Sequence, residues 1–385
     1  MPNALTVKRK IAFVVNRLLP TGPIFVVQDI VRHLDPAQYD ILLVELRTHS
    51  PLGDALPMLQ SMNVHCVAMN FSLWELELAT ARCARRLGHL LEEEQVAWVN
   101  GHSHQAVLLL SLLGGAPFGR VATLHCFLQE DISYSHGRCM GRYAAWRQLK
   151  ALKKMDACIA VSEPLATYYR ERLEGAVVQA IPNGIDTCRF RRPTLQEREA
   201  ARLQQAIPLN AYVVLMVGAL IKLKNGLLPI RAMLSMLEER QLPPSLFFLF
   251  VGDGPEKQML QDEAFSLKNV RFVGSQRDIV PYLFLADAIF SASYSESFGL
   301  SVAEGIAAGL TPILADTPVM RMLVEKGAVQ PAFFFDHLST ESCKKAILAS
   351  MQERIPCSAD AFSDYFSSER MAHEYEVHIA TFLSE

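Results

Sequence analysis

Glu296 and Glu304 stand eight positions apart in Ser295-Glu296-Ser297-Phe298-Gly299-Leu300-Ser301-Val302-Ala303-Glu304-Gly305. One acid precedes a Phe-Gly-Leu turn, and the other falls inside the Ala-rich helical pattern that follows. Ala288-Ile289-Phe290 before them and Thr311-Pro312-Ile313-Leu314-Ala315 after them read as strands. The unit is therefore strand, loop, helix, strand. The backbone amides of Phe298, Gly299, Leu300 and Ser301 open the helix, where an anionic phosphate is favoured. Flanking carboxylates accept hydrogen bonds from sugar and ribose hydroxyls. A nucleotide-sugar presents all three groups together. The plainer alternative is a helix-terminal acid with a second acid on the surface.

Two further clusters carry chemistry. Val213-Val214-Leu215-Met216-Val217 runs into Gly218-Ala219-Leu220-Ile221-Lys222-Leu223-Lys224, placing two ammonium groups just past a strand end. Val121-Ala122-Thr123-Leu124-His125 and Asn100-Gly101-His102-Ser103-His104 end two consecutive strands with histidine. A lone His is usually structural, but two on one sheet edge favour a cleft role. His102 and His104 have no carboxylate beside them, and the chain has no Asp-x-Asp motif, so a metal-diphosphate anchor is not expected.

The Glu pair with its Ser-Phe-Gly-Leu context resembles the E-x7-E motif of the retaining group 1 glycosyltransferases, which have the GT-B fold. The resemblance implies that Glu296 faces the donor sugar and Glu304 holds the nucleotide ribose. Lys224, six residues after Gly218, matches the family lysine that clamps the donor diphosphate. The family arginine next to that glycine is missing, since Ala219 stands there. A lysine is no geometric equal of a bidentate arginine. Lys222 either supplies the second charge or is a solvated surface lysine. Val251-Gly252-Asp253-Gly254-Pro255 matches a family turn, and Phe272-Val273-Gly274-Ser275-Gln276-Arg277 a loop bordering the nucleobase. There Arg277 either meets base or phosphate or lies on the surface.

In the N-terminal half the resemblance places His125 near the reacting centre and sets Gly22, in Pro20-Thr21-Gly22-Pro23, against the donor phosphate. Asn16, Arg17 and His102, at the carboxyl ends of their strands, are candidates to face the acceptor cleft. The 16–23 turn and the 125–131 loop look most like those of enzymes building O-antigen or capsular polysaccharide.

The elements that must hold these groups alternate throughout. Strands are expected at 10–16, 40–45, 64–68, 96–100, 119–125, 156–161 and 176–181. A second series is expected at 211–218, 246–252, 270–273, 288–292, 311–315 and 331–335. Amphipathic helical stretches lie between them, which predicts parallel sheets covered on both faces. The fold class is α/β: two doubly wound Rossmann-like domains facing a central cleft at the strands' carboxyl ends. Residues 1–190 form the acceptor domain and 191–360 the nucleotide-sugar domain. Residues 361–385 form a terminal helix that the resemblance folds back onto the first domain.

Bulk properties agree. The 385 residues suit two domains, and a net charge of -3 does not suggest a nucleic-acid partner. Residues 1–190 carry 19 Lys+Arg against 17 Asp+Glu, the remainder 18 against 23. Eight cysteines without a Cys-x-x-Cys pair suggest free thiols in a reducing compartment. Neither Ile11–Asn16 nor Ala106–Leu113 is long enough for a signal-peptide core or a membrane span. Residues 138–154 interleave Arg138, Arg142, Arg147, Lys150, Lys153 and Lys154 with Met140, Tyr143, Trp146, Leu149 and Leu152. That pattern fits an anionic lipid surface or an ordinary domain helix; Arg82, Arg85 and Arg86 form a second basic face.

The expectation is a retaining, metal-independent hexosyltransferase without a cofactor. It uses a nucleoside-diphosphate sugar, with UDP preferred on family frequency. Its acceptor is a polyprenyl-diphosphate-linked saccharide, met in the cytoplasm at the inner face of the bacterial inner membrane. Two alternatives stand: a GT-B nucleotide-sugar 2-epimerase, and a catalytically impaired partner that binds nucleotide-sugar or glycan within an assembly complex.

Overall fold

The computed structural model describes residues 8–19, 21–47, 64–128, 131, 138–355 and 357–384, without the side chains of 138–140. Pro20, residues 129–130 of the 125–131 loop and the side chains of Arg138 and Met140 therefore lie outside the described part. The chain forms two compact units, Met1–Gly184 with Ser368–Glu385, and Ile185–Ser367.

The first unit holds a seven-stranded sheet of order β3-β2-β1-β4-β5-β6-β7. Its strands are β1 (Arg9–Val15), β2 (Tyr39–Arg47), β3 (His65–Phe71), β4 (Trp98–Gly101), β5 (Gly119–Leu124), β6 (Ala157–Ala160) and β7 (Val178–Ala180). All pairings are parallel. The second unit holds a six-stranded parallel sheet of order β10-β9-β8-β11-β12-β13. Its strands are β8 (Tyr212–Val217), β9 (Leu246–Val251), β10 (Val270–Gly274), β11 (Ala288–Ser291), β12 (Thr311–Ala315) and β13 (Phe333–Phe335). Each expected strand is present, with every end within three residues of the expected position.

Parallel strands covered by helices must be apolar on both faces, and β8 (YVVLMV) and β9 (LFFLFV) are buried almost end to end. One face of the second sheet carries an aromatic row. Phe250 stacks on Phe272 at 4.7 Å, Phe248 meets Phe290 edge-on at 5.3 Å, and Phe290 stacks on Phe335 at 5.2 Å. Fully burying one such ring contributes about 1.5–3 kcal/mol, so this row ties four of the six strands, β9, β10, β11 and β13, into one floor.

In both sheets the strand order reverses next to the first strand, between β1 and β4 and between β8 and β11. Such a reversal opens a crevice beyond the strands' carboxyl ends, because the two following helices leave on opposite faces.

The division departs from expectation in two places. The first unit ends at Gly184, not 190. The segment from 361 is not one helix. A short helix, Asp360–Tyr365, belongs to the second unit, where Phe366 packs on Phe298 at 5.7 Å. Ser367 then bridges Ile185, and the helix Ser368–Phe382 belongs to the first unit. There it packs along helix Gly22–His33, and Glu376 accepts a hydrogen bond from the Asp35 amide at 2.8 Å. Helical spacing of the aromatic residues hid the break because both pieces bury apolar faces, but in different cores.

Candidate active site

In the second unit the crevice is made by the segments leaving β8 and β11. Gly218 ends β8 at φ +142 and donates its amide to Val251 O at 3.0 Å. Gly252, at φ +145, has to be glycine: a Cβ there would fall 1.9 Å from Gly218 O. The chain then forms a 3-10 turn over Lys222–Lys224, and Asn225 closes it in the left-handed region at φ 53. Asn225 Nδ2 donates to His337 O at 3.0 Å, and the Tyr294 amide donates to Leu223 O at 2.9 Å. These bonds tie the turn to the segments after β13 and β11.

Lys224 and Glu296 form an ion pair across that junction. Ser293 Oγ donates to the same carboxylate oxygen, Oε1, at 3.0 Å, and Ser291 Oγ lies 3.3 Å from Ser293 Oγ. The Glu296 side chain is 13 % exposed, so the pair is less screened than a surface bridge. Lys222 points to solvent, and Ala219 is exposed with no charge to offer. Lys224 is thus the cation that the β8 turn holds inside the crevice.

Gly299 adopts φ +86 and starts helix Leu300–Ala307 without a side-chain cap. The first helical bonds come from the Val302 and Ala303 amides, both to Gly299 O at 3.0 Å. The helix opening thus presents Leu300 and Ser301 amides to an anion. The helix buries Val302, Ala303, Gly305, Ile306 and Ala307, leaving Glu304 partly exposed one turn in. The expectation for Phe298 concerned its backbone amide; its ring is buried against Phe366, and its backbone stands at the turn. Arg277 sits exposed on the loop after β10.

The first unit has its own group of polar residues at the strands' carboxyl ends. His102 follows β4 and His125 follows β5. His102 Nδ1 lies 3.0 Å from His125 Nε2, and the ring centroids are 5.2 Å apart. His102 is buried beside Phe13, and burial drives its pKa far down. Burial, with the His104 charge adding, takes His125 down to about 3. Both rings are neutral near pH 7. One layer below, Thr123 Oγ1 donates to Asn100 Oδ1 at 3.0 Å and lies 3.1 Å from the Tyr375 hydroxyl. Ser103 caps helix His104–Leu110 by accepting from the Ala106 amide at 3.2 Å, which fixes the chain just after His102. His104 Nε2 is 3.7 Å from Cys126 Sγ.

Asn16 and Arg17 follow β1, half-buried, and Asn16 O accepts from the Arg47 amide at 3.1 Å. Burial, with the Arg17 charge beside it, lowers the Arg47 pKa. Glu45 Oε1 holds the Leu18 amide at 3.0 Å. Gly22 opens helix Gly22–His33, whose N-cap Thr21 gives no side-chain hydrogen bond. Sequence reasoning missed Ser293, Glu45 and Arg47. For Ser293 a signal existed, since Ser291 and Ser293 leave the strand in line with Glu296.

Chemically, the second unit offers one cation, two open amides and two carboxylates around the same strand ends. The set suits a ribosyl diphosphate carrying a sugar.

A family model for "Glycosyl transferases group 1" matches residues 197–365, and one for "Glycosyltransferase Family 4" matches residues 22–189. The D-inositol 3-phosphate glycosyltransferase of Corynebacterium jeikeium is 26% identical over 52% of this chain. The match covers 51% of that protein, so the chain spans about half its length. A UDP-Gal:alpha-D-GlcNAc-diphosphoundecaprenol alpha-1,3-galactosyltransferase of Escherichia coli is 26% identical over 72% of each chain. Among solved structures, Anabaena HepE in complex with UDP and glucose superposes with a TM-score of 0.77 at 18% identity, covering 97% of this chain and 99% of that one.

Proposed function

The chain belongs to the group 1 glycosyltransferases and has the GT-B fold, and from that premise we propose a retaining, metal-independent hexosyltransferase that uses a nucleoside-diphosphate sugar. The observation that carries the reading is the Lys224–Glu296 pair beside the uncapped helix that bears Glu304. In this reading Lys224 and the Leu300 and Ser301 amides take the diphosphate, Glu304 takes the ribose and Glu296 takes the sugar. The leaving diphosphate gains charge as the glycosidic bond breaks, and preorganised donors stabilise that charge without a metal. The acceptor hydroxyl attacks from the side of the leaving phosphate, which takes its proton, so configuration is retained. UDP is the proposed nucleotide; UDP-Gal names the donor of the E. coli relative, and UDP occupies HepE.

A thermal-shift panel with UDP, GDP, ADP and TDP, with and without magnesium, tests the donor site. UDP at about 100 times its dissociation constant should add roughly 2.7 kcal/mol of stability, unchanged by magnesium. No shift with any nucleotide would favour the impaired-partner alternative, with Ala219 as its cause.

We propose a lipid-linked saccharide as acceptor, met at the inner face of the bacterial inner membrane in the building of surface polysaccharide. The E. coli relative is named for a diphosphoundecaprenol substrate. Among the described residues no helix is long and apolar enough to cross a membrane. One face of the first unit nevertheless exposes Trp74 (77%), Leu78 (80%), Tyr143 (57%) and Trp146 (54%). Arg147 joins the two helices of that face through Glu77 at 2.7 Å, and Lys150 lies over the Trp146 ring at 4.5 Å. Aromatic wedges among cations suit an anionic interface. Sedimentation with phosphatidylglycerol-containing vesicles should retain the protein. Replacing both Trp74 and Trp146 by Ala should weaken that binding at least about tenfold, since each ring buries roughly 1.5–3 kcal/mol of apolar surface. Equal binding by the double variant would remove this face from the proposal.

A further inference from the structure

We infer that His102 is a positioning residue that fixes the tautomer of His125, leaving His125 with its proton on Nδ1. The structure puts His102 Nδ1 and His125 Nε2 3.0 Å apart, so one nitrogen donates and the other accepts. His102 Nε2 is buried and has no hydrogen-bond partner among the described residues. That decides the direction. If His125 Nε2 were the donor, the proton of neutral His102 would sit on its Nε2, as a buried N–H with nothing to receive it. Orphaned buried N–H groups are rarer and costlier than bare acceptor lone pairs. With the proton on His102 Nδ1 instead, the one available bond is used and Nε2 is left as a bare lone pair. His125 Nε2 then accepts, and His125 carries its own proton on Nδ1.

The surroundings make this a fixed setting. His102 is held by the bond from its amide to Val14 O at 2.9 Å and by the Ser103 cap. Phe13 packs beside the ring at 5.7 Å. His125 is half-buried, and its remaining nitrogen, Nδ1, becomes an N–H donor for a ligand. The consequence for catalysis rests on the proposed glycosyl transfer: His125 would donate to a substrate oxygen, not accept from a hydroxyl. The tautomer itself does not depend on that reading.

The test is a long-range proton–nitrogen NMR correlation on protein labelled with nitrogen-15 in histidine. His125 is expected to show a protonated, pyrrole-type Nδ1 and an unprotonated, pyridine-type Nε2. The reverse pattern, or a mixture of the two, overturns the inference in the wild-type protein alone, before any variant is made. In His102→Phe the constraint is gone, and His125 should move toward the Nε2–H form that free imidazole side chains favour. His102→Asn keeps a side-chain amide near the position of Nδ1 and should restore the Nδ1–H form.

In a transfer assay kcat should fall about tenfold in His102→Phe, the worth of roughly one hydrogen bond, with UDP affinity unchanged and recovery in His102→Asn. A tautomer that behaves as stated without any effect on transfer would leave the positioning intact and refute its link to glycosyl transfer.

Discussion

Lys224→Ala is expected to lower turnover by about two to three orders of magnitude, the range found when one preorganised donor to a developing anion is removed. The size follows from how few cations the crevice has. Ala219 is exposed and uncharged, and Lys222 points to solvent, so Lys224 is the charge that the turn after β8 holds against Glu296. Its position is built by backbone: the 3-10 turn, the left-handed Asn225 and the Tyr294–Leu223 bond persist when the side chain is cut at Cβ. The fold should therefore survive, with a thermal midpoint close to wild type. UDP affinity should drop by a smaller factor than turnover, because the ground-state diphosphate carries less charge at the bridging oxygen than the leaving group does. Lys224→Arg should recover binding better than rate, since a planar fork cannot occupy the place of a compact ammonium. Calorimetric UDP titration beside steady-state rates reads both quantities. Unchanged turnover in Lys224→Ala would place the diphosphate elsewhere.

The sequence made the frame easy to read for a physical reason. Strands buried on both faces must be continuous apolar runs, and runs such as Leu246–Val251 leave little ambiguity once helices separate them. The reversal of strand order then follows from two doubly wound halves. Contacts between segments were much less legible. Lys224 and Glu296 are 72 positions apart, and nothing in either segment says that their side chains meet. The same holds for His102 and His125: both strand ends could be read, but the 3.0 Å contact depends on β4 and β5 being neighbours in register. At Phe298 the turn uses the backbone while the ring answers to the core, and the sequence does not name Phe366 as its partner. The C-terminal segment misled because helical periodicity reports an apolar face and not the unit that covers it.

Glu296→Gln should move two quantities in opposite directions, which makes it the sharper test. The Glu296 carboxylate holds Lys224, so an incoming diphosphate must take the ammonium from it and approach a negative charge. Glutamine has the same shape, and its carbonyl oxygen can still accept from Ser293 Oγ, but the charge is gone. Lys224 then loses its competing partner and the repulsion on the diphosphate disappears. For a half-buried unit charge a few ångströms away, UDP should bind about tenfold more tightly. Turnover should nevertheless fall about a hundredfold or more. In the proposed reaction the charged Glu296 would serve the sugar as positive character builds at the anomeric carbon, and a neutral amide would offer less there than in the ground state. Tighter product binding would add to the loss. A variant that was only damaged would lose affinity as well as rate, so the opposed signs separate a working carboxylate from a structural one. If neither UDP affinity nor rate changed, Glu296 would be no more than the counter-ion of Lys224, and the sugar would have to be held by another residue. Combining Glu296→Gln with Lys224→Ala adds a final check. If the two side chains act on the same diphosphate, the effects should not add: the part of the affinity gain that comes from releasing the ammonium is lost in the background of the second variant, and only the relief of repulsion remains.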